Sequence, residues 1–173
     1  DIEIYIPNNS LYKNHSFQFE KIINSNIERP IYKILDDSIP LHKSFVISIS
    51  EKHLNKKLRK KAMIAKLHNE EFICIASKWK ENRIIGKSNS LGQFTIVIDT
   101  IPPTIKYNSV NNETIEFTII DELSGIKEYR GEIDGKWILM EYDFKTNTIK
   151  HKFENKPNGQ NHVLKLDVLD KTE

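Results

Sequence analysis

Apolar residues recur at alternate positions in several short runs of residues 1–100. The run "SFVISIS" places Phe45, Ile47 and Ile49 on one side of an extended chain. A period of two is typical of a β-strand with one buried face. Asn, Asp, Ser and Pro separate the runs, as in "DDSIP" and "NSNIERP", and favour turns. The pattern therefore predicts about eight short antiparallel strands, interrupted by one weak helical turn over residues 51–61.

A second series of strand-like runs follows two consecutive prolines in "IDTIPPTIKY". It includes "TIEFTIID", "IKEYRGEID" and "KWILMEYD", and Asp134-Gly135 between two of them is typical of a hairpin, since both positions tolerate positive φ. Pro102 and Pro103 have no N–H to donate and hold the chain extended. Residues 101–104 are therefore predicted to be a semi-rigid linker.

These patterns predict an all-β protein of two tandem β-sandwich domains, the second immunoglobulin- or fibronectin-III-like. The domains are expected at residues 1–100 and 105–173. The predicted core of the first comprises Ile4, Ile6, Phe17, Phe19, Phe45, Ile47, Ile49, Ile75, Phe94, Ile96 and Ile98. The predicted core of the second comprises Phe117, Ile119, Trp137, Leu139, Leu164, Leu166 and Val168.

Composition places the chain among globular proteins with a packed core. Of 173 residues, 38% are hydrophobic and 29% charged, and the net charge is only +2. Such a balance provides no global field for nucleic acid, and no run reaches the ~20 apolar residues of a membrane span. Cys74, the sole cysteine, excludes an intrachain disulfide and is predicted to be a small buried hydrophobe. The start at Asp1 and the break after a strand pattern indicate a fragment truncated at its C-terminus.

Carboxylates at predicted strand ends offer one candidate chemistry. The residues are Asp99, Asp121, Asp134 and Asp170. Calcium needs several oxygens at one point, and acids at strand ends of one sandwich could supply them. The favoured interpretation is nevertheless that each Asp caps a turn, so no metal site is predicted. The six histidines show no chelating i, i+2 pair, so no zinc site is predicted.

Aromatic and basic residues offer further candidates for binding. Trp79, Tyr129, Trp137 and Tyr142 could form a platform on which a sugar stacks, although alternation in "KWILMEY" sends one aromatic into the core whichever face is buried. Trp79 between two lysines is predicted to point inward. The segment "KHLNKKLRKK" carries six basic residues, and without interleaved aromatics a solvated loop is the favoured interpretation over an anionic contact.

Several segments carry a family resemblance over nearly the whole chain. "SLGQFTIVIDTIPPTI", "DELSGIKEYRGEIDGKWILMEYD", "IYIPNNSLYKNHSFQF", "IPLHKSFVISI" and "KAMIAKL" resemble the region that follows the catalytic domain in bacterial lysostaphin-like (LytM-type) zinc endopeptidases of the cell envelope. The second half of the chain also resembles bacterial immunoglobulin-like modules. Such peptidases bind zinc through His-x-x-x-Asp and His-x-His motifs, and neither motif occurs here, so no catalytic residue carries over.

The resemblance implies a noncatalytic accessory region without a cofactor, which spaces or tethers a peptidase domain located upstream in the same polypeptide. The implied location is the bacterial cell envelope, and the implied partners are that peptidase domain and peptidoglycan or another envelope glycan. The alternative is an independent adhesive or carbohydrate-binding module of a bacterial surface protein. Nucleic acid is not an expected partner of this fragment, and the fragment is not expected to contain a membrane span.

Overall fold

The computed structural model describes residues 2–23, 25, 27–154 and 161–172. Its regular structure is almost entirely antiparallel β-sheet, which confirms the predicted all-β class. The chain forms two compact units, Asp1–Thr100 and Ile101–Glu173, named unit 1 and unit 2. In each unit two sheets enclose a hydrophobic core, so the predicted β-sandwich architecture is confirmed.

Unit 1 is built from nine strands and one short helix among its described residues. They are β1 (Ile2–Tyr5), β2 (Phe19–Ile22), β3 (Ile31–Ile34), β4 (Phe45–Ser50), α1 (Lys56–Lys60), β5 (Ala62–His68), β6 (Glu71–Ile75), β7 (Ser77–Lys80), β8 (Arg83–Ser88) and β9 (Gly92–Ile98). One sheet has four strands in the order β1-β4-β8-β7. The other has five in the order β2-β3-β9-β5-β6.

The core of unit 1 lies between these sheets. Phe45, Ile47 and Ile49 alternate along β4 and are at most 2% exposed, which confirms their predicted inward face. Phe94 on β9 of the opposite sheet is fully buried, and its ring meets that of Phe45 edge-to-face with centroids 5.8 Å apart. Such a pair stabilises a core beyond the area it buries, because the ring edge is attracted to the ring face.

Two predicted core residues of unit 1 are exposed instead. Phe17 precedes β2 and is 58% exposed, and Phe19 on β2 is 44% exposed. Phe19 pairs with Ile34, but β2 is the edge strand of its sheet and has a neighbour on one side only. Partly buried residues that pack against the core include Ile4, Ile6, Ile75 and Ile98. Cys74 is half-buried rather than fully buried.

The predicted helical turn over residues 51–61 corresponds to α1, which begins after the capping residue Asn55. Its Arg59 carbonyl oxygen accepts a hydrogen bond from Trp79 Nε1 at 2.6 Å, and the Arg59 guanidinium lies 5.0 Å from the Trp79 ring centroid. Trp79 packs against the core of unit 1, as predicted. Among the described residues, no helix has the length and apolar character needed to cross a bilayer.

Unit 2 has seven strands within the described part of the chain. They are β10 (Thr104–Val110), β11 (Thr114–Ile120), β12 (Ile126–Ile133), β13 (Lys136–Ile138), β14 (Glu141–Asp143), β15 (Thr148–Lys152) and β16 (Leu164–Asp170). The first sheet has the order β10-β11-β15-β14 and the second the order β13-β12-β16. Residues 99–103, which include both prolines, lie outside the strands.

The core of unit 2 is smaller than that of unit 1. Its buried members are Ile119, Met140 and Ile149, each at most 5% exposed. Partly buried residues complete it: Phe117, Ile126, Tyr129, Ile138, Tyr142, Leu166 and Val168. The predicted core positions on β11 and β16 are thus largely correct, because alternation along these strands identifies one inward face.

Trp137 and Leu139 are the core predictions that fail in unit 2, and each is 60% exposed. Ile138 and Met140 point inward instead. Ile138 pairs with Gly131 of β12, and a Cβ added at Gly131 would lie 2.7 Å from Met140 Cγ. Met140 therefore occupies the space that this glycine leaves free, and the alternate residues Trp137 and Leu139 face outward.

The Asp134-Gly135 turn is present as predicted, between the paired residues Ile133 and Lys136, with φ of 50° and 75°. We expect Gly135→Ala to lower the free energy of unfolding by about 1–2 kcal/mol, since a Cβ disfavours positive φ. No heavy atom lies within 4 Å of the added Cβ, so the loss reports backbone conformation alone. Urea denaturation measures it, with Gly135→Asn as the milder control. Equal stability of the Ala and Asn variants would contradict the backbone explanation.

Candidate functional site

An open cleft of about 420 Å³ lies on unit 2 where β13 and β15 approach each other. We name it the aromatic cleft. Its apolar surface is provided by Trp137, Ile138, Leu139, His151 and Phe153, and its polar rim by Glu141, Lys152 and Glu154. Trp137 and Leu139 are both largely exposed. Large apolar side chains exposed together at one concave place are typical of binding surfaces.

His151 lines the aromatic cleft and is held in place by two contacts. Its Nδ1 lies 2.8 Å from the Leu139 carbonyl oxygen. A carbonyl oxygen can only accept, so Nδ1 carries the proton, and in the neutral ring Nε2 is left as an acceptor. The ring also meets Phe153 edge-to-face, with centroids 5.2 Å apart and planes at 85°. These contacts fix the orientation of the imidazole.

The rim of the aromatic cleft is polar and carries both charges. Glu141, Lys152 and Glu154 are all exposed, and the Glu141 carboxylate lies 4.0 Å from Lys150 Nζ. An indole face next to carboxylates and an ammonium can pack against the apolar face of a sugar ring while the rim hydrogen-bonds its hydroxyl groups. The arrangement is suited to reversible binding of a flat, hydroxylated ligand.

The other three aromatic candidates belong to the cores. Trp79 packs in unit 1, whereas Tyr129 and Tyr142 pack in unit 2 with ring centroids 5.8 Å apart. The Tyr142 hydroxyl donates to Asn147 Oδ1 at 3.2 Å. Burial, followed by the charge of Asp143, raises the pKa of Tyr142 above its ordinary value of 10.0. Only Trp137 among the four presents an exposed ring.

The calcium candidates Asp121 and Asp170 lie together in unit 2, with carboxylate oxygens within 4.8 Å of each other. Asp121 follows β11, and its Oδ1 accepts hydrogen bonds from Leu123 N–H and Ser124 Oγ, both at 3.3 Å, and from Gly125 N–H. Asp170 ends β16 and is fully buried. The register between β12 and β16 places Asp170 opposite Ile126, directly after the Asp121 turn.

Asp134 lies at the other end of β12, in the hairpin turn. Its Oδ2 accepts a hydrogen bond from His162 Nδ1 at 2.7 Å, and its Oδ1 accepts one from Val163 N–H at 2.9 Å. The His162 bond first, and then the Val163 bond, hold the pKa of Asp134 below its ordinary value of 3.8. Asp99 belongs to unit 1, is buried, and donates its N–H to the Lys61 carbonyl oxygen at 2.8 Å.

Sequence reasoning did not identify Leu139, His151 and Phe153 as parts of a binding surface. A signal was present for two of them, because His151 and Phe153 follow Ile149 at alternate positions and share its side of β15. Ile149 is fully buried, whereas His151 and Phe153 are only half-buried. Alternation shows that these residues share one face of the strand. It does not show that the opposite sheet leaves the end of that face uncovered.

One comparison with known proteins returned a match. A family model described as Zu5-like domain matches residues 1–99, a range that coincides with unit 1. No curated protein matches the chain, and no solved structure matches it. The aromatic cleft and the Asp121–Asp170 pair both lie outside the matched residues.

Proposed function

We propose, from the premise that this chain belongs to the Zu5-like domain family through residues 1–99, that it is a noncatalytic accessory region that binds an envelope glycan. In this proposal it tethers or spaces a peptidoglycan-cleaving metallopeptidase domain of the same polypeptide in the bacterial cell envelope. Unit 2 acts as an immunoglobulin-like module that carries the glycan contact. The sequence resemblance to lysostaphin-like endopeptidases motivates the choice of peptidase and of location.

The observation that carries this proposal is the exposure of Trp137 in the aromatic cleft. An indole that is 60% exposed beside an equally exposed Leu139 leaves a large apolar area in water. Burying such an area against a ligand is favourable, at roughly 25 cal/mol per Å² removed from water. Sandwich folds serve many functions, so this surface, rather than the fold, supports a role in binding.

Weak binding is sufficient for an accessory role. A module that attaches to the same polymer as its linked catalytic domain raises the local concentration of that domain, and the linker length sets the effective concentration. Rapid release also allows the enzyme to move to new bonds along the polymer. A small cleft with a single exposed indole fits such reversible attachment.

We expect Trp137→Ala to weaken binding of the 173-residue chain to purified insoluble peptidoglycan by about tenfold or more, as for the truncation of a Trp at an interface hot spot. Sedimentation of the chain with the polymer measures the change. Phe144→Ala is the matched control, because Phe144 is 73% exposed in the same unit but outside the cleft. Trp137→Phe should retain part of the affinity.

Unchanged binding by the Trp137→Ala variant would contradict the role of the aromatic cleft. If the parental chain does not sediment with peptidoglycan or with any other envelope polysaccharide, the result would support a role in spacing the peptidase domain without glycan binding. Thermal unfolding should be nearly the same for all variants, since these side chains are exposed. A large loss of stability would assign the effect to folding rather than to binding.

The aromatic cleft also favours a second candidate function, an independent carbohydrate-binding or adhesive module of a bacterial surface protein. The two functions share the ligand class and differ in the attached domain. The coding sequence upstream of Asp1 distinguishes them. His-x-x-x-Asp and His-x-His motifs there would support the peptidase, and a different domain would support the adhesive module.

A further inference from the structure

We propose that Asp121 and Asp170 bind a divalent cation, Ca²⁺ being the ion whose chemistry they fit, and that the ion joins the two sheets of unit 2. The site is separate from the aromatic cleft and independent of the proposed glycan binding. Two features point to this site: the closeness of the two carboxylates and one buried oxygen atom of Asp170.

The buried oxygen is Oδ2 of Asp170. Asp170 is 0% exposed, and its Oδ1 accepts hydrogen bonds from the Thr172 N–H at 2.6 Å and from Thr172 Oγ1 at 2.7 Å. Oδ2 is inaccessible to solvent and has no hydrogen-bond donor within reach among the described residues. A buried carboxylate oxygen without a donor is strongly unfavourable, so such an atom indicates a bound ion or water.

The neighbouring carboxylate makes an ion the better explanation. Carboxylate oxygens of Asp121 and Asp170 lie within 4.8 Å of one another. Asp170 is fully buried and Asp121 half-buried, and two negative charges at that separation repel each other more strongly the less water surrounds them. A cation between them turns the repulsion into attraction, which a neutral water molecule does not.

The separation of the two carboxylates fits calcium coordination. Calcium binds oxygens at about 2.3–2.6 Å, so two ligands on opposite sides of one ion lie up to about 5 Å apart. Carboxylates bind in monodentate or bidentate fashion, and water and backbone carbonyls complete a shell of about 6–8 oxygens. Asp121 is already oriented by the donors of the 123–125 turn, which reduces the entropy lost on binding.

The position of the pair gives the ion a structural role. Asp121 follows β11 of one sheet, and Asp170 ends β16 of the other. An ion held by both would clamp one end of a sandwich whose buried core has few members. Lys171 brings a positive charge close to the 123–125 turn, since its Nζ lies 3.2 Å from where a Cβ on Gly125 would stand.

Isothermal titration of the chelator-treated 173-residue chain with CaCl₂ tests the proposal. We expect binding of one ion and, at about one hundred times Kd, a rise of about 10 °C or more in the melting temperature of unit 2. Asp121→Asn and Asp170→Asn should each weaken binding at least tenfold. The amide introduced by Asp121→Asn keeps an oxygen acceptor for the turn, so this variant separates ion binding from folding.

Asp167→Asn is the matched control, because Asp167 lies on the same strand as Asp170, is exposed, and accepts a hydrogen bond from Lys165 Nζ at 2.6 Å. It should bind calcium as the parental chain does. Absence of calcium uptake by the parental chain, or parental affinity in Asp121→Asn, would overturn the proposal. In that case the nearby Lys171 is the candidate counter-charge, and Lys171→Gln should destabilise unit 2. If Asp170→Asn does not fold, calcium titration of the parental chain and of Asp121→Asn still tests the proposal.

Discussion

Replacing Phe94 with alanine is expected to lower the free energy of unfolding of unit 1 by about 3–5 kcal/mol. Phe94 is fully buried and forms the edge-to-face contact with Phe45 that joins the two sheets. Truncation removes the burial of a whole ring and leaves a cavity that close-packed neighbours fill only in part. Few single changes in this unit should cost more.

Fluorescence of Trp79 can report this change specifically. The chain has two tryptophans, Trp79 in unit 1 and Trp137 in unit 2, so a Trp137→Phe background leaves one reporter packed against the core of unit 1. Denaturation in urea then gives the stability of unit 1. Phe17→Ala is the matched control, because Phe17 is largely exposed and its truncation should change the stability little. Equal losses for Phe94→Ala and Phe17→Ala would show that the core is assigned incorrectly.

Ile119→Ala is expected to lower the stability of unit 2 by about 2–5 kcal/mol. Ile119 is fully buried on β11 and packs with Met140 and Ile149, which are the other buried hydrophobic residues of that core among the described positions. Domains are only marginally stable, with about 5–15 kcal/mol in total. Losing one of so few buried side chains should therefore remove a large share of the stability of unit 2.

The adjacent residue provides the control for Ile119. Ile120 lies on the opposite face of β11 and is 39% exposed. Ile120→Ala therefore removes the same atoms and changes the intrinsic β-propensity of the strand by the same amount. Hydrogen exchange of the β11 and β15 amides in the full chain measures the stability of unit 2. Protection should fall sharply for Ile119→Ala and only slightly for Ile120→Ala. Similar protection in the two variants would contradict the assignment of the inward face.

Much of the fold could be predicted because its signals are local. Alternation identified the inward residues of β4 and β9, since a strand buried on one face repeats every two residues. The Asp134-Gly135 turn was predictable because its residues tolerate positive φ, which few others do. Predictions failed at strand edges and ends. Phe17 and Phe19 have the same alternation as Phe45 but lie where the sheet stops, and alternation carries no information on what covers a face.

The candidate site was less predictable than the fold. Trp137 was recognised as an aromatic candidate, yet its outward direction depends on Gly131 of another strand, which makes room for Met140. Asp121 and Asp170 were recognised as separate acids at strand ends. Their proximity follows from the register between β12 and β16, a non-local pairing that no spacing along the chain encodes.

By itself, the sequence determined that this protein is all-β, where most strands and turns fall, and which residues of a strand share a face. These properties depend on the backbone preferences and periodicity of a few consecutive residues. The tertiary structure alone decided which of two alternating faces is covered and which distant side chains meet. Both depend on strand pairing and on sheet edges, because burial is a property of neighbours in space rather than of neighbours along the chain.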